Sequence, residues 1–368
     1  MVLLDYLYQR HQDIVVAHVD YQKRSDSFCD ALVIKDYLKD KKIIFEELIV
    51  PKDYYTKDNF QAQARHIRYQ FFKELALKYQ TNDVYVAHHK DDYLETYIFK
   101  KERGGLYDYF GIKTTSNYQG LVIRRPLLGM YREDIINYAQ THNINYHEDS
   151  SNKELIYTRN RNRAYLQTLS QETKEKLFRE AEALNQKSAQ EQAFVKACLK
   201  DFKKNKSALL IERNKFNNFS LNIKRRLLFK VINKKDLTTK HLDEIIRNIK
   251  KKGHYSQSFR QESNSVYLFV AYDIIYFLFK PLQNYCYEIN NEAEYSQLVA
   301  RFKADWALEV NKITVSYPFT IRNYQPADLI SYPKYRLKLK KKKIPFFLRD
   351  YLPIIVKGED KILMVDPK

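Results

Sequence analysis

Residues 86–96 read VAHHKDDYLET and place His88, His89, Lys90, Asp91 and Asp92 in five consecutive positions after a run of β-formers. Three kinds of site fit such a cluster. A histidine metal site is disfavoured, because adjacent histidines do not easily face one ion and no HExxH or CxxC accompanies them. A helix start fits: Asp92 can cap a helix, and Glu95, three residues on, completes a capping box. A carboxylate pair holding Mg²⁺ against nucleotide phosphates also fits, since that ion favours one or two carboxylates plus phosphate oxygens. The last two are compatible. A second stretch, QAQARHIRYQFF (61–72), sets Arg65 and Arg68 on one helix face with Phe72 near its buried edge. That face is either a solvated basic stripe or a phosphate-binding one. The third, HEDSSNKELIYTRNRNR (147–163), runs from an acidic Asx/ST turn into Arg159, Arg161 and Arg163 interleaved with asparagines. It suits phosphates and planar acceptors, and equally a solvent-facing loop.

Positioning these residues requires strands and helices in alternation. The apolar run IVVAHVD (14–20) has the character of a parallel strand covered on both faces. Helical pattern follows over 25–40, strand over 42–50, helix over 58–79, strand over 83–89 and helix from Asp92 to Arg103. Strands and helices so ordered predict right-handed βαβ units and a doubly wound parallel sheet, with ligands outside the carboxyl ends of the strands. His88 to Asp92 stand at such an end. Three domains are expected: an α/β domain over 1–170, a mainly helical one over 171–290 and a small β-rich one over 291–368. The alternation in RLKLKKKK (336–343) predicts an edge strand with one basic face.

Composition narrows the partners. Lys and Arg total 64 against 45 Asp and Glu, a net charge of +19, which favours a polyanion, RNA first, then DNA, then an anionic membrane. No stretch approaches the roughly 18 unbroken apolar residues of a membrane span. Three dispersed cysteines make neither a disulfide framework nor a zinc knuckle. With no secretion signal at the first residues, a cytoplasmic protein is expected.

Several segments together resemble one family. AHVDYQKR (17–24), QAQARHIRY, AHHKDDYLET with RGG (103–105), RRPLLGMYREDI (124–135), EDSSN…YTRNRNR, IRNYQPAD (321–328) and IPFFLRDYLP (344–353) are similar, in order and spacing, to motifs of tRNA(Ile)-lysidine synthetases, in the N-type ATP pyrophosphatase superfamily. The resemblance implies an adenine nucleotide alpha-hydrolase-like N-terminal domain followed by tRNA-binding domains. It implies that ATP and Mg²⁺ adenylate the wobble cytidine of the CAU-anticodon isoleucine tRNA, and that free lysine displaces AMP at C2. On this basis Asp92 holds Mg²⁺ and orients the lysine amine, and Glu95 recognises lysine. Arg65, Arg68 and Arg159 stabilise phosphate charge, while His18, His88 and Asp91 line the ATP pocket. Arg163, Lys338, Lys340 and Lys341 meet tRNA, and the chain forms a homodimer.

The chain departs from that pattern at one important place. The family's phosphate loop, SGGxDS, is absent from a sequence with only 7 glycines, and MVLLDYLYQR resembles the helix that follows the loop. The expectation is a start codon set one strand and one loop late. A truncated tRNA-binding protein without catalysis is the rival, and another tRNA-modifying pyrophosphatase the second. Thiolases of that superfamily normally use paired cysteines, which this chain lacks. Ala327 stands where the family has glycine, which could strain a turn needing positive φ.

Overall fold

The computed structural model describes residues 1–10, 13–23, 26–51, 60–147, 158–204, 208–234, 236–251, 253–260, 265–306, 316–325, 328, 335–357 and 361–364. At 158–161, 203–204, 304–306, 335–336 and 361–364 only the backbone is described. Ala327 lies outside the described residues. The chain divides into two compact units, Met1–Ser188 and Ala189–Lys368.

In the first unit, α1 (Val2–Tyr8) precedes β1 (Val15–Asp20), α2 (Phe28–Leu38), β2 (Ile44–Ile49), α3 (Phe60–Lys78), β3 (Asp83–Tyr85) and α4 (Lys90–Arg103). A hairpin of β4 (Thr115–Tyr118) and β5 (Leu121–Arg124) leads through a 3-10 turn, Pro126–Gly129, to α5 (Arg132–Thr141). Next come α6 (Thr158–Thr168) and the long α7 (Gln171–Asp201), within which the division between the units falls. The expected parallel pairing is present: β1 runs parallel to β2, and β3 to β5. It is split, however, into a two-stranded sheet β1-β2 and a three-stranded sheet β3-β5-β4, with β4 antiparallel.

Two helices join the fragments. Helix α3 packs Tyr69, Phe72 and Ala76 on Val84, Leu121 and Ile123 of the three-stranded sheet. It also holds the β1-β2 sheet, by Tyr21 Oη donating to the Ala64 carbonyl (3.0 Å) and Lys78 Nζ to Glu46 (2.6 Å). Asp5 of α1 accepts from Tyr37 of α2 (2.7 Å) and Tyr138 of α5 (2.9 Å).

The second unit holds two antiparallel sheets. Strands β6 (Lys203–Lys204), β7 (Ala208–Glu212), β8 (Tyr255–Phe259), β9 (Val266–Ala271) and β10 (Ile274–Leu278) pair in the order β6-β7-β10-β9-β8. The stretch expected to be mainly helical therefore carries a five-stranded sheet beside α8 (Arg213–Asn218), α9 (Leu221–Ile232) and α10 (Thr239–Lys250). In α10, Leu242, Ile245, Ile246 and Ile249 form the buried stripe that its 3.6-residue period dictates. The second sheet, β11 (Cys286–Ile289), β12 (Phe319–Asn323), β13 (Pro353–Lys357) and β14 (Lys361–Met364), packs with α11 (Glu292–Trp306).

RLKLK is not a strand. Tyr335–Lys341 forms a helix, α12, in which Leu339 is 1% exposed and Leu337 61%. In a strand these two leucines would share a face. Here Leu339 alone has core to fill, and the helix turns Leu337 outward.

Candidate active site

The cluster around residue 90 is built on a strand end and a helix start. Beyond β3 the chain stays extended, and Val86 N–H donates to the Arg124 carbonyl (3.0 Å). Helix α4 begins two residues earlier than expected, with His89 as the N-cap. Asp92 is therefore at the third helical position, not the cap, and its Oδ2 accepts the His89 N–H at 2.9 Å. This earlier start releases Glu95 from capping. The buried Glu95 instead accepts from Arg163 Nε of α6 at 2.8 Å, and Arg163 Nη2 lies 3.8 Å from Asp92 Oδ1. One guanidinium thus faces two carboxylates one helical turn apart. Burial pushes the Glu95 carboxyl up, with Arg163 opposing.

Asp91 faces another way. Its Oδ2 accepts the Arg132 N–H (2.9 Å), Lys174 Nζ lies 3.3 Å from Oδ1, and His89 Nδ1 is 3.4 Å away. Burial alone would raise this carboxyl; His89, the Arg132 N–H and Lys174 outweigh it and hold it well below the usual carboxylate range. Asp91, expected in the ATP pocket, ties the starts of α4, α5 and α7 together. A cavity of about 250 Å³ opens over these groups, lined by His89, Asp91, Glu95, Arg132, Arg163 and Gln167.

His88 belongs to a second group. Burial pushes its imidazole down to about 4, with Asp92 opposing and Arg125, Arg68 and Arg65 reinforcing. Arg65, Arg68, Arg125 and Asp92 each lie within electrostatic reach of His88. Both arginines lie near the Tyr69 ring, at 4.8 and 5.8 Å. His88 Nδ1 and His18 Nε2 are buried without hydrogen-bond partners among the described residues. His18 lies within β1 of the other sheet fragment, stacked on Phe45.

Arg159 is on the backbone of α6, and its side chain is outside the described residues. Lys338, Lys340 and Lys341 lie on α12 in the second unit. Sequence reasoning missed Arg125, which is 7% exposed and bonded to the Lys113 carbonyl (2.8 Å) and Ser116 (3.0 Å). It also missed Lys174 and Gln167. The RRPLL motif contains Arg125 and could have flagged it; nothing in the charged pattern of α7 singled out Lys174.

The donor set suits ATP with Mg²⁺ in part. Asp92 offers one carboxylate oxygen set beside unpartnered ring nitrogens and arginines. Among the described residues there is no cluster of three or more His, Cys, Asp or Glu that could hold a metal by itself. That leaves phosphate oxygens to complete any Mg²⁺ shell.

Parallel βαβ pairing with a polar strand end, a carboxylate pair and orphaned histidines defines a nucleotide-binding α/β domain. Residues 1–169 match the PP-loop domain family, so this unit has the ATP-binding, adenine nucleotide alpha-hydrolase-like fold. The chain is 43% identical over 155 residues to the tRNA(Ile)-lysidine synthase of Mycoplasma mycoides subsp. mycoides, covering 42% of this chain and 39% of that one. Identity is 35% over 179 residues with that of Mesoplasma florum, covering 47% and 45%. It is 31% over 273 residues with that of Bacillus thuringiensis subsp. konkukian, covering 68% and 57%. Residues 1–169 thus carry the PP-loop domain, and the chain is similar to tRNA(Ile)-lysidine synthases over part of their length. It spans about half the length of the curated relatives it matches.

Proposed function

We propose that this protein ligates lysine to C2 of the wobble cytidine in the CAU-anticodon isoleucine tRNA, at the expense of ATP. One observation carries the reading: the buried Glu95 and its neighbour Asp92 share a cation, Arg163, beneath a cavity of about 250 Å³. A buried carboxylate and a half-buried one already fitted to a cation suit the ammonium of free lysine.

In this reading Glu95 holds the lysine ammonium and Asp92 orients the attacking amine. That amine must lose a proton before it attacks, and the nearby carboxylates are acceptors for it. His88, kept neutral by burial, gives the nucleotide a hydrogen-bonding partner without adding charge. Arg65, Arg68 and Arg125 oppose the negative charge that grows on the phosphates during adenylation. Asp92 would hold Mg²⁺, which when bound neutralises phosphate charge. No phosphate loop is assigned here, since residues 1–368 contain no SGGxDS.

The test is AMP release from ATP with the CAU transcript, with and without lysine. It should be run on chain 1–368 and on that chain extended by any in-frame residues encoded ahead of Met1. Lysine-dependent release by either supports the reading. Tight tRNA binding with no AMP release by both would favour the non-catalytic tRNA-binding alternative.

A further inference from the structure

The second unit contains a cavity of about 370 Å³ that the lysine chemistry does not use. It lies where the chain leaves β10, passes through residues 280–285 and enters β11 against α11. Strand alternation sets its wall: Tyr287 and Ile289 face α11, and Cys286 and Glu288 face the opposite side, exposed. Tyr287 stacks on the buried Tyr285 with ring centroids 5.9 Å apart and planes 19° apart. Tyr285 is in turn fixed by its hydroxyl donating to the Tyr351 carbonyl (2.8 Å) and by its ring packing on Phe302 at 5.0 Å. The half-buried Tyr287 ring is thus backed by rigid core.

The polar lining is of one kind. Lys280 and Arg301 bring two cations, Gln283 and Asn284 two amides, and among the described residues no carboxylate lines the cavity. Arg301 Nη1 donates to the Tyr287 hydroxyl at 3.1 Å, which registers the guanidinium against the ring. The buried Asn323 donates through Nδ2 to Asn284 Oδ1 at 3.2 Å. With its oxygen engaged, the Asn284 side chain offers N–H donors.

We propose that this cavity binds one unstacked ribonucleotide of a bound RNA, its base against Tyr287, its edge toward Asn284 and Gln283, and its phosphate between Lys280 and Arg301. An aromatic platform with flanking cations is how single-stranded nucleic acid is held without a duplex. The volume is at the small end of ligand sites, roughly 300–1,000 Å³, enough for one nucleotide. A net charge of +19 favours a polyanionic partner over a small neutral one. That the natural RNA is a tRNA rests on the function proposed above; the recognition chemistry does not.

The experiment measures binding of the full chain to a fluorescein-labelled single-stranded RNA hexamer by anisotropy across salt concentrations. Tyr287→Ala should weaken binding ~10-fold, while Tyr287→Phe, which keeps the stacking face, should cost less than about 3-fold. Arg301→Ala should reduce the salt slope by about 0.7, the value for one phosphate on a single strand. Because Tyr287→Ala could loosen the core, the exposed Asn284→Asp serves as the variant that leaves packing intact, and it should weaken binding at least ~5-fold. Unchanged hexamer affinity in both Tyr287→Ala and Asn284→Asp would overturn the proposal. Lysine-dependent AMP release is read separately. Its absence, with hexamer binding responding as predicted, would sink the enzyme function and leave the nucleotide pocket standing.

Discussion

Glu95 is where residue chemistry is most exposed to test. It is buried and holds Arg163, so Glu95→Gln keeps the shape while removing the charge that a substrate ammonium needs. The KM for lysine should rise ~10-fold or more, from loss of a charge-assisted hydrogen bond. The tRNA affinity of that variant should stay unchanged. A lysine KM equal to that of the parent chain would remove Glu95 from lysine recognition. His88 makes a different prediction, on stability. Its imidazole sits near 4 in the folded protein against 6.5 for an ordinary histidine. Below pH 6.5 the unfolded chain therefore binds the extra proton first. Stability contributed by the neutral ring is present above that pH and drains away as pH falls toward 4, by about 3 kcal/mol in all. Urea midpoints of His88→Gln against the parent chain should converge across this window. Parallel curves would contradict the buried neutral imidazole. At this scale the sequence was informative about types and poor about partners. Asp92 and Glu95 were legible as candidate site residues, but that Arg163 closes on them was not, because the contact joins residues 68 positions apart.

Helix α4 carries the candidate site residues Asp92 and Glu95, and its start is where element-level reading went astray. Asp–Leu–Glu spacing fits a capping box from Asp92 to Glu95, yet the box observed runs from His89 to Asp92. Both registers satisfy the same local rule, and the Lys90 N–H donating to the Met130 carbonyl (2.8 Å) supports the earlier one. Capping and chemistry at Asp92 can be separated. Asp92→Ala should cost about 1 kcal/mol of stability, and Asp92→Asn, whose amide oxygen still accepts the His89 N–H, about half of that or less. Both should lose lysine-dependent AMP release; activity in Asp92→Asn would reduce the residue to a cap. Gly111 supports the same helix from beneath. It sits at φ +88°, and an added Cβ would lie 2.5 Å from the ring of Tyr93, next to Asp92. Gly111→Ala should therefore lower stability by about 2–4 kcal/mol in thermal unfolding, and an unchanged melting temperature would contradict that packing. The order and type of the elements from residue 14 to residue 103 followed from apolar periodicity. The split of the sheet did not, since pairing between strands is a nonlocal choice. Nor did α12, where RLKLK alternates like a strand, but only Leu339 finds core to fill.

Across the whole molecule the excess of positive charge is the dominant feature, and it was visible from composition alone. Lys338, Lys340 and Lys341 are exposed on α12. Replacing all three with glutamine should weaken tRNA binding and flatten its salt dependence by about one unit of slope per lost phosphate contact, while ATP binding stays unchanged. An equal fall in ATP affinity would contradict a division of labour between the two units. Among the described residues no helix is long and apolar enough to cross a membrane. The measurement that bears most directly on the central claim is the mass of the wobble nucleoside. The CAU transcript is incubated with ATP, Mg²⁺, labelled lysine and the protein, extended by any in-frame residues encoded ahead of Met1, then digested and analysed. The account predicts lysine joined to the wobble cytidine, with a lower yield at limiting lysine when Glu95 is glutamine. Unmodified cytidine despite firm tRNA binding, or label at any other nucleoside, would contradict it.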